Sequence, residues 1–166
     1  KLARALASIG AAARQPQDPE WRNRLVIYGS DACLMQTVEV IYDLRNTVDY
    51  LLGSEQTEPG QGWPYGTIIR ELTERPIYFA QRPWALAEAV LENYGTSYGP
   101  GGSASDTERI TFAAVDTGAT IRSRNRIDEI GRLLSELLED DEELAGLVYD
   151  AREHTYVFGG RSVDVG

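Results

Sequence analysis

The sequence predicts an α+β fold: a small mixed or antiparallel sheet flanked by two principal helices, with an N-terminal helical arm. Three observations predict it. Two long stretches, 31–52 and 124–138, repeat apolar residues every three or four positions, the period of a helix with one buried face. Short runs rich in β-branched and aromatic residues, at 24–28, 67–79, 109–115 and 154–165, have the composition of strands. A chain of 166 residues is the ordinary size of one domain, and its single cysteine, Cys33, cannot form an internal disulfide. The expected organisation is an arm over 1–30 and a single α+β domain over 31–166.

In chain order, Leu2, Leu6 and Ile9 place an amphipathic stripe on a short arm helix that ends before Pro16 and Pro19. Its apolar face is narrow, so it is expected to pack on the body or on a neighbouring subunit. Arg24 to Tyr28 (RLVIY) reads as a short strand closed by Gly29. The helix at 31–52 carries Leu34, Val38, Ile41, Leu44, Val48 and Leu51, with Ser30 as N-cap and Gly53 as stop. Four glycines and two prolines then make 53–66 an exposed loop bearing Trp63 and Tyr65. Thr67 to Phe79 reads as two short strands, because Pro76 would break a helix. Pro83 suits the first turn of a second helix over 84–94, stopped by Gly95, and 95–107 forms another loop.

The last third holds a strand at 109–115 and the amphipathic helix marked by Ile127, Ile130, Leu133, Leu134, Leu137 and Leu138. After the acids at 139–143, Leu144, Leu147 and Val148 give one extra turn. The terminal strand alternates Tyr156, Phe158, Val163 and Val165 around a kink at Gly159-Gly160.

Charge is the strongest signal in the composition. Twenty-six acidic and sixteen basic residues give a net charge of -10 and a pI near 4.6. Such a balance opposes binding to free nucleic acid, which depends on clustered cations. All the cations but Lys1 are arginines, a pattern produced either by GC-rich codon usage or by adaptation to high salt. No stretch reaches the length of an apolar membrane span, and the first residues lack a signal-peptide core.

Candidate catalytic groups are few. His154, the single histidine, begins a predicted strand beside polar residues and reads as a strand-edge side chain rather than a general base. Cys33 sits near the apolar face at the start of a predicted helix and reads as a small core residue more readily than as a nucleophile. The run from Glu139 to Glu143 lacks the spacing of a calcium loop and reads as a solvated helix start. Residues 99–102 (GPGG) lack the following Lys-Ser/Thr of a phosphate loop. No catalytic residue, cofactor or metal is therefore expected. Trp63, Tyr65, Tyr94 and Tyr98 lie in or beside glycine-rich loops and read as interface anchors, with Arg161 in the same set.

A strand (ERITFAAVD), a helix (RIDEIGRLLSELLEDDEELAGLVYDA) and a terminal strand (HTYVFGGRSVDV) follow one another over 108–165, with Glu143 to Val148 as an acidic leucine-glycine turn. This order resembles the tail terminator proteins of long-tailed bacterial and archaeal viruses. The resemblance implies a non-enzymatic virion protein of the neck, assembled in the host cytoplasm. Its partners would be itself, as a hexameric ring that terminates the tail tube, together with the tail tube protein and the head connector proteins. No membrane partner is expected. The alternative is an acidic binding or inhibitor protein of the immunity type, masking a basic partner. A small metal-dependent hydrolase using the 139–143 acids is the third class weighed.

Overall fold

The structure, a computed structural model, describes residues 1–12, 24–105, 110–138 and 141–155, and the backbone of 157–158 and 162–163. It is α+β, with a small mixed sheet and an N-terminal helix. The chain divides into two compact units, Lys1–Gly118 and Ala119–Gly166.

The first unit contains α1 (Leu2–Ala12), β1 (Leu25–Gly29), α2 (Val38–Leu44), β2 (Val48–Gly53), α3 (Tyr65–Glu74), α4 (Pro76–Gln81), α5 (Pro83–Tyr98) and β3 (Ala113–Asp116). Its sheet has the order β1-β2-β3. β1 runs parallel to β2, with Leu25 opposite Val48 and Gly29 opposite Leu52. β3 runs antiparallel to β2 on the other side, with Tyr50 opposite Asp116 and Gly53 opposite Ala113. The parallel pair requires a crossover, which α2 supplies.

The expected helix over 31–52 is instead a loop, the seven-residue α2 and the central strand β2. Val48, Leu51 and Leu52 have at most 1 % of their surface exposed. Val48 and Leu51 pack with Leu6 of α1 and Ile41 and Leu44 of α2, whereas Leu52 packs with Ala87 and Val90 of α5. A strand covered on both faces shows a continuous apolar run rather than alternation. In this chain that run fell into phase with the helix before it. Ser30 is therefore no helix cap: its N–H donates to Leu52 O at 2.9 Å as the sheet pairing runs on. Gly53 is no helix stop, since it ends a strand.

Residues 67–79, expected as strands, lie in α3 and α4. Pro76 starts α4 at its first turn, where its missing N–H costs nothing, rather than breaking a strand or helix. Gly95 does not stop α5, which continues to Tyr98. α1 buries Leu6 in the first core cluster and leaves Ile9 exposed.

The second unit holds α6 (Thr120–Leu138), α7 (Glu142–Glu153) and a hairpin of β4 (Val157–Phe158) and β5 (Ser162–Val163), paired antiparallel. Asp141 caps α7 by accepting from Leu144 N at 2.9 Å. Glu143 to Val148, expected as a turn, lies inside this helix. His154 is the C-cap of α7 rather than the start of a strand, and its Nδ1 lies 2.7 Å from Asp150 O. Glu139, Asp140, Tyr156, the Gly159-Gly160 kink, Arg161 and Val165 lie outside the described residues.

Candidate functional site

Two loops leave the carboxyl ends of the parallel strands, 30–37 from β1 and 54–64 from β2. Parallel strands in α/β sheets present their ligand-binding crevices at this end. The loops run side by side: Leu34 N donates to Gln56 O and Gln36 N to Ser54 O, each at 3.1 Å. Beyond those pairs, Glu58 N donates to Cys33 Sγ at 3.3 Å. Cys33 is exposed, not a core residue as its position in a predicted helix suggested. The residue after it, Leu34, has φ of 60°, the left-handed region that a branched side chain adopts only at a cost of about 1–2 kcal/mol. Backbone strain of this kind collects at functional positions.

The same two loops carry two carboxylates, Asp31 and Glu58, each held by aromatic residues. Asp31 Oδ2 accepts from the Tyr65 hydroxyl at 2.9 Å and from Trp63 N at 3.3 Å. Glu58 Oε2 accepts from the Tyr94 hydroxyl at 2.9 Å, and its Oε1 accepts from Trp63 Nε1 at 3.4 Å. Tyr98 donates to Gly62 O at 2.8 Å. Gly62 has φ of +64° and lies so close to Asp31 that a Cβ would come within 2.8 Å of Oδ2. The loop can therefore follow this path only with glycine there.

Burial pushes the Glu58 carboxyl up from its ordinary range, and the hydrogen bonds from Tyr94 and Trp63 oppose that rise in part. Tyr65 is pushed up to about 12, by burial first and then by the Asp31 carboxylate it bonds. Tyr94 is raised by burial and by Glu58, and Tyr98 by burial and by the Glu58 and Asp31 charges. Among the described residues no arginine or lysine pairs with Asp31 or Glu58, so the loops present acid and one thiol.

Four of the residues expected as interface anchors thus converge on this site. Tyr94 and Tyr98 are buried in α5, Trp63 is half-buried, and Tyr65 is exposed. Tyr94 stacks on Phe112 with centroids 4.2 Å apart, and Trp63 meets the same ring edge-on at 5.0 Å.

The family model for clostripains, a peptidase family, matches residues 20–152. The chain belongs to the clostripain family. Solved structures similar to it include a secreted C11 cysteine protease from Bacteroides thetaiotaomicron in complex with an irreversible peptide inhibitor. That pair is 28% identical over 71% of this chain and 31% of the other, with a TM-score of 0.49. An inactive zymogen C11 protease from Parabacteroides distasonis is 21% identical over 73% of this chain and 27% of the other, also with a TM-score of 0.49. A B. fragilis cysteine protease is 23% identical over 71% of this chain and 44% of the other, with a TM-score of 0.46. No curated protein matches. The clostripain-family chain described here spans less than half the length of each of these solved proteins.

Membership of a peptidase family overturns the tail terminator resemblance, and with it the non-enzymatic virion role, the hexameric ring, the tail tube and head connector partners and the neck localisation. It equally removes the acidic inhibitor alternative. The resemblance rested on an order of elements over 108–165 and on a turn at 143–148 that is helical. Sequence reading did not single out Asp31 and Glu58, and it weighed Cys33 as a nucleophile but placed it in the core, whereas it is exposed. The signal available was the strand RLVIY followed at once by a polar loop, Gly29 to Cys33, which places the thiol at a strand's carboxyl end.

Proposed function

We propose that this chain contributes the nucleophile of a cysteine peptidase, and that the nucleophile is Cys33. One observation carries the reading: in a chain of a peptidase family, the single cysteine stands exposed at the carboxyl end of β1, with an N–H aimed at its sulfur. A thiolate attacks the peptide carbonyl, and a hydrogen-bond donor at the sulfur favours the thiolate form. The two loops that meet at the thiol carry the acids Asp31, two residues before it, and Glu58, so the substrate favoured by charge carries a basic side chain near the scissile bond.

A peptidase of this class also needs a proton acceptor. Residues 1–118 contain no histidine, and the single one of the chain, His154, caps α7 in the other unit. Hydrolysis that survives His154→Ala shows that this histidine is not the acceptor. The test of the nucleophile is hydrolysis of a fluorogenic peptide with arginine before the cleaved bond, together with labelling by an irreversible thiol-directed peptide inhibitor. If the 166-residue chain hydrolyses nothing, a longer polypeptide carrying it is used. Cys33→Ser should remove both signals. Hydrolysis that survives Cys33→Ser would overturn the assignment.

A further inference from the structure

Glu58 combines three features that ordinary loop packing does not require. Its backbone N–H donates to Cys33 Sγ at 3.3 Å. Both oxygens of its carboxylate are engaged, Oε1 by the Trp63 indole and Oε2 by the Tyr94 hydroxyl. The carboxylate is nevertheless placed where burial penalises its charge, and no described cation offsets that penalty.

The mooring points are rigid. Tyr94 is 1 % exposed, stacked on Phe112 and tilted against Tyr98 at 4.6 Å. Tyr98 in turn holds the carbonyl of Gly62. Trp63 donates its main-chain N–H to Asp31 and its indole N–H to Glu58, so one residue ties both acids to one loop. Pro59 follows Glu58 in sequence and restricts it to extended backbone, which limits the directions its N–H can take. A carboxylate fixed at one end and a proline at the other leave the peptide N–H of residue 58 aimed at the sulfur.

We propose that Glu58 is a positioning residue for the Cys33 thiol: its carboxylate, moored to Tyr94 and Trp63, fixes the peptide group whose N–H donates to the sulfur. The proposal rests on the peptidase reading for its significance, though not for its test. Because both carboxylate oxygens are occupied, Glu58 acts through its main chain and not as a base.

The experiment measures the rate at which iodoacetamide alkylates the chain at pH 7. Cys33 is the only thiol, so mass spectrometry reads this site alone. Glu58→Ala loses both moorings and should be alkylated about tenfold more slowly, since hydrogen bonds to charged acceptors are among the stronger ones and the thiolate is the reacting form. Glu58→Gln can accept from Trp63 through its oxygen and donate to the Tyr94 hydroxyl, and should recover most of the rate. A residue that merely stabilises the fold would lower the melting temperature in the alanine variant and leave the alkylation rate of the folded protein unchanged.

Wild-type alkylation in folded Glu58→Ala overturns the proposal. Failure of the glutamine variant to recover any rate overturns it too, because charge rather than position would then be at work. Should Glu58→Ala not fold, Tyr94→Phe decides: it removes one mooring, keeps the ring stack, and should slow alkylation about threefold, an unchanged rate again refuting the proposal. Alkylation is read without hydrolysis. An unchanged rate therefore sinks the positioning role and leaves the peptidase reading intact, whereas hydrolysis surviving Cys33→Ser does the reverse.

Discussion

Trp63 lays its indole across the backbone of Gly29, so closely that a Cβ at position 29 would come within 2.6 Å of Cη2 and 2.9 Å of Cζ3. Gly29 ends β1 and Trp63 lies near the end of the loop from β2, so this contact ties that loop to the end of β1. Gly29→Ala should cost about 1–3 kcal/mol, the usual range for forcing atoms into a packed site. The cost should nearly vanish when the same change is made in a Trp63→Ala background. A double-mutant cycle by urea unfolding measures the coupling, and simple additivity would show that the ring yields freely.

The Glu58 carboxyl gives the fold a pH dependence of defined sign. Its folded pKa is raised above the ordinary 4.5, so the folded state holds this proton more tightly than the unfolded chain does. The stability contributed is fully present below about pH 4.5 and is lost as the pH rises through the folded pKa. Glu58→Gln cannot titrate. Its melting temperature should gain on the wild type as the pH climbs from about 4.5 towards neutrality, and the gap should close again in more acid solution. A gap of constant size across that range would mean that Glu58 titrates as it does in the unfolded chain.

How much of this was legible in the sequence differs between the elements. β1 could be read because RLVIY is short and closed by glycine, and α6 because one face alone is apolar. β2 could not, since Val48, Leu51 and Leu52 are buried towards α1 and α2 on one side and α5 on the other, which erases the alternation that marks a strand. That misreading also hid the thiol. With 31–52 taken as one helix, Cys33 became a core position, whereas the strand-loop-helix-strand arrangement leaves it at the mouth of the sheet. The aromatic residues were noticed, but their carboxylate partners are 34 and 36 residues away in sequence in all but one case, and no local pattern connects them.

Thr117 is fully buried and donates its hydroxyl to Val48 O, the same carbonyl that accepts from Arg24 Nη2 at 2.6 Å. Arg24 Nε also lies 2.7 Å from Asp49 Oδ1, on the next residue of the same strand. Thr117→Val leaves the carbonyl with one donor and should cost about 1 kcal/mol. Arg24→Met keeps the hydroxyl but removes a charge-assisted donor and the Asp49 partner, and should cost about 1–2 kcal/mol, with little of it from the half-exposed ion pair. Both values come from denaturation at constant m, and a larger loss from the threonine than from the arginine would reverse this ranking.

Asp31 offers the sharpest test of substrate charge. It lies two residues before Cys33, and its Oδ2 already accepts from Tyr65 and Trp63. Asp31→Asn keeps an acceptor for those donors and removes only the charge, so the loop should hold its shape. If the acid recruits a basic side chain, kcat/KM for an arginyl peptide should fall about tenfold, the factor that corresponds to about 1.4 kcal/mol of charge interaction in a partly exposed site. An otherwise identical peptide with a neutral residue at that position should change by less than about threefold. The arginyl substrate should also lose part of its salt sensitivity in the variant, because one of the attracting charges is gone. The measurement pairs the two peptides at low and high potassium chloride. Equal losses on both would place Asp31 with the loop's architecture, and the preference for a basic substrate would then have to come from another acid or be abandoned.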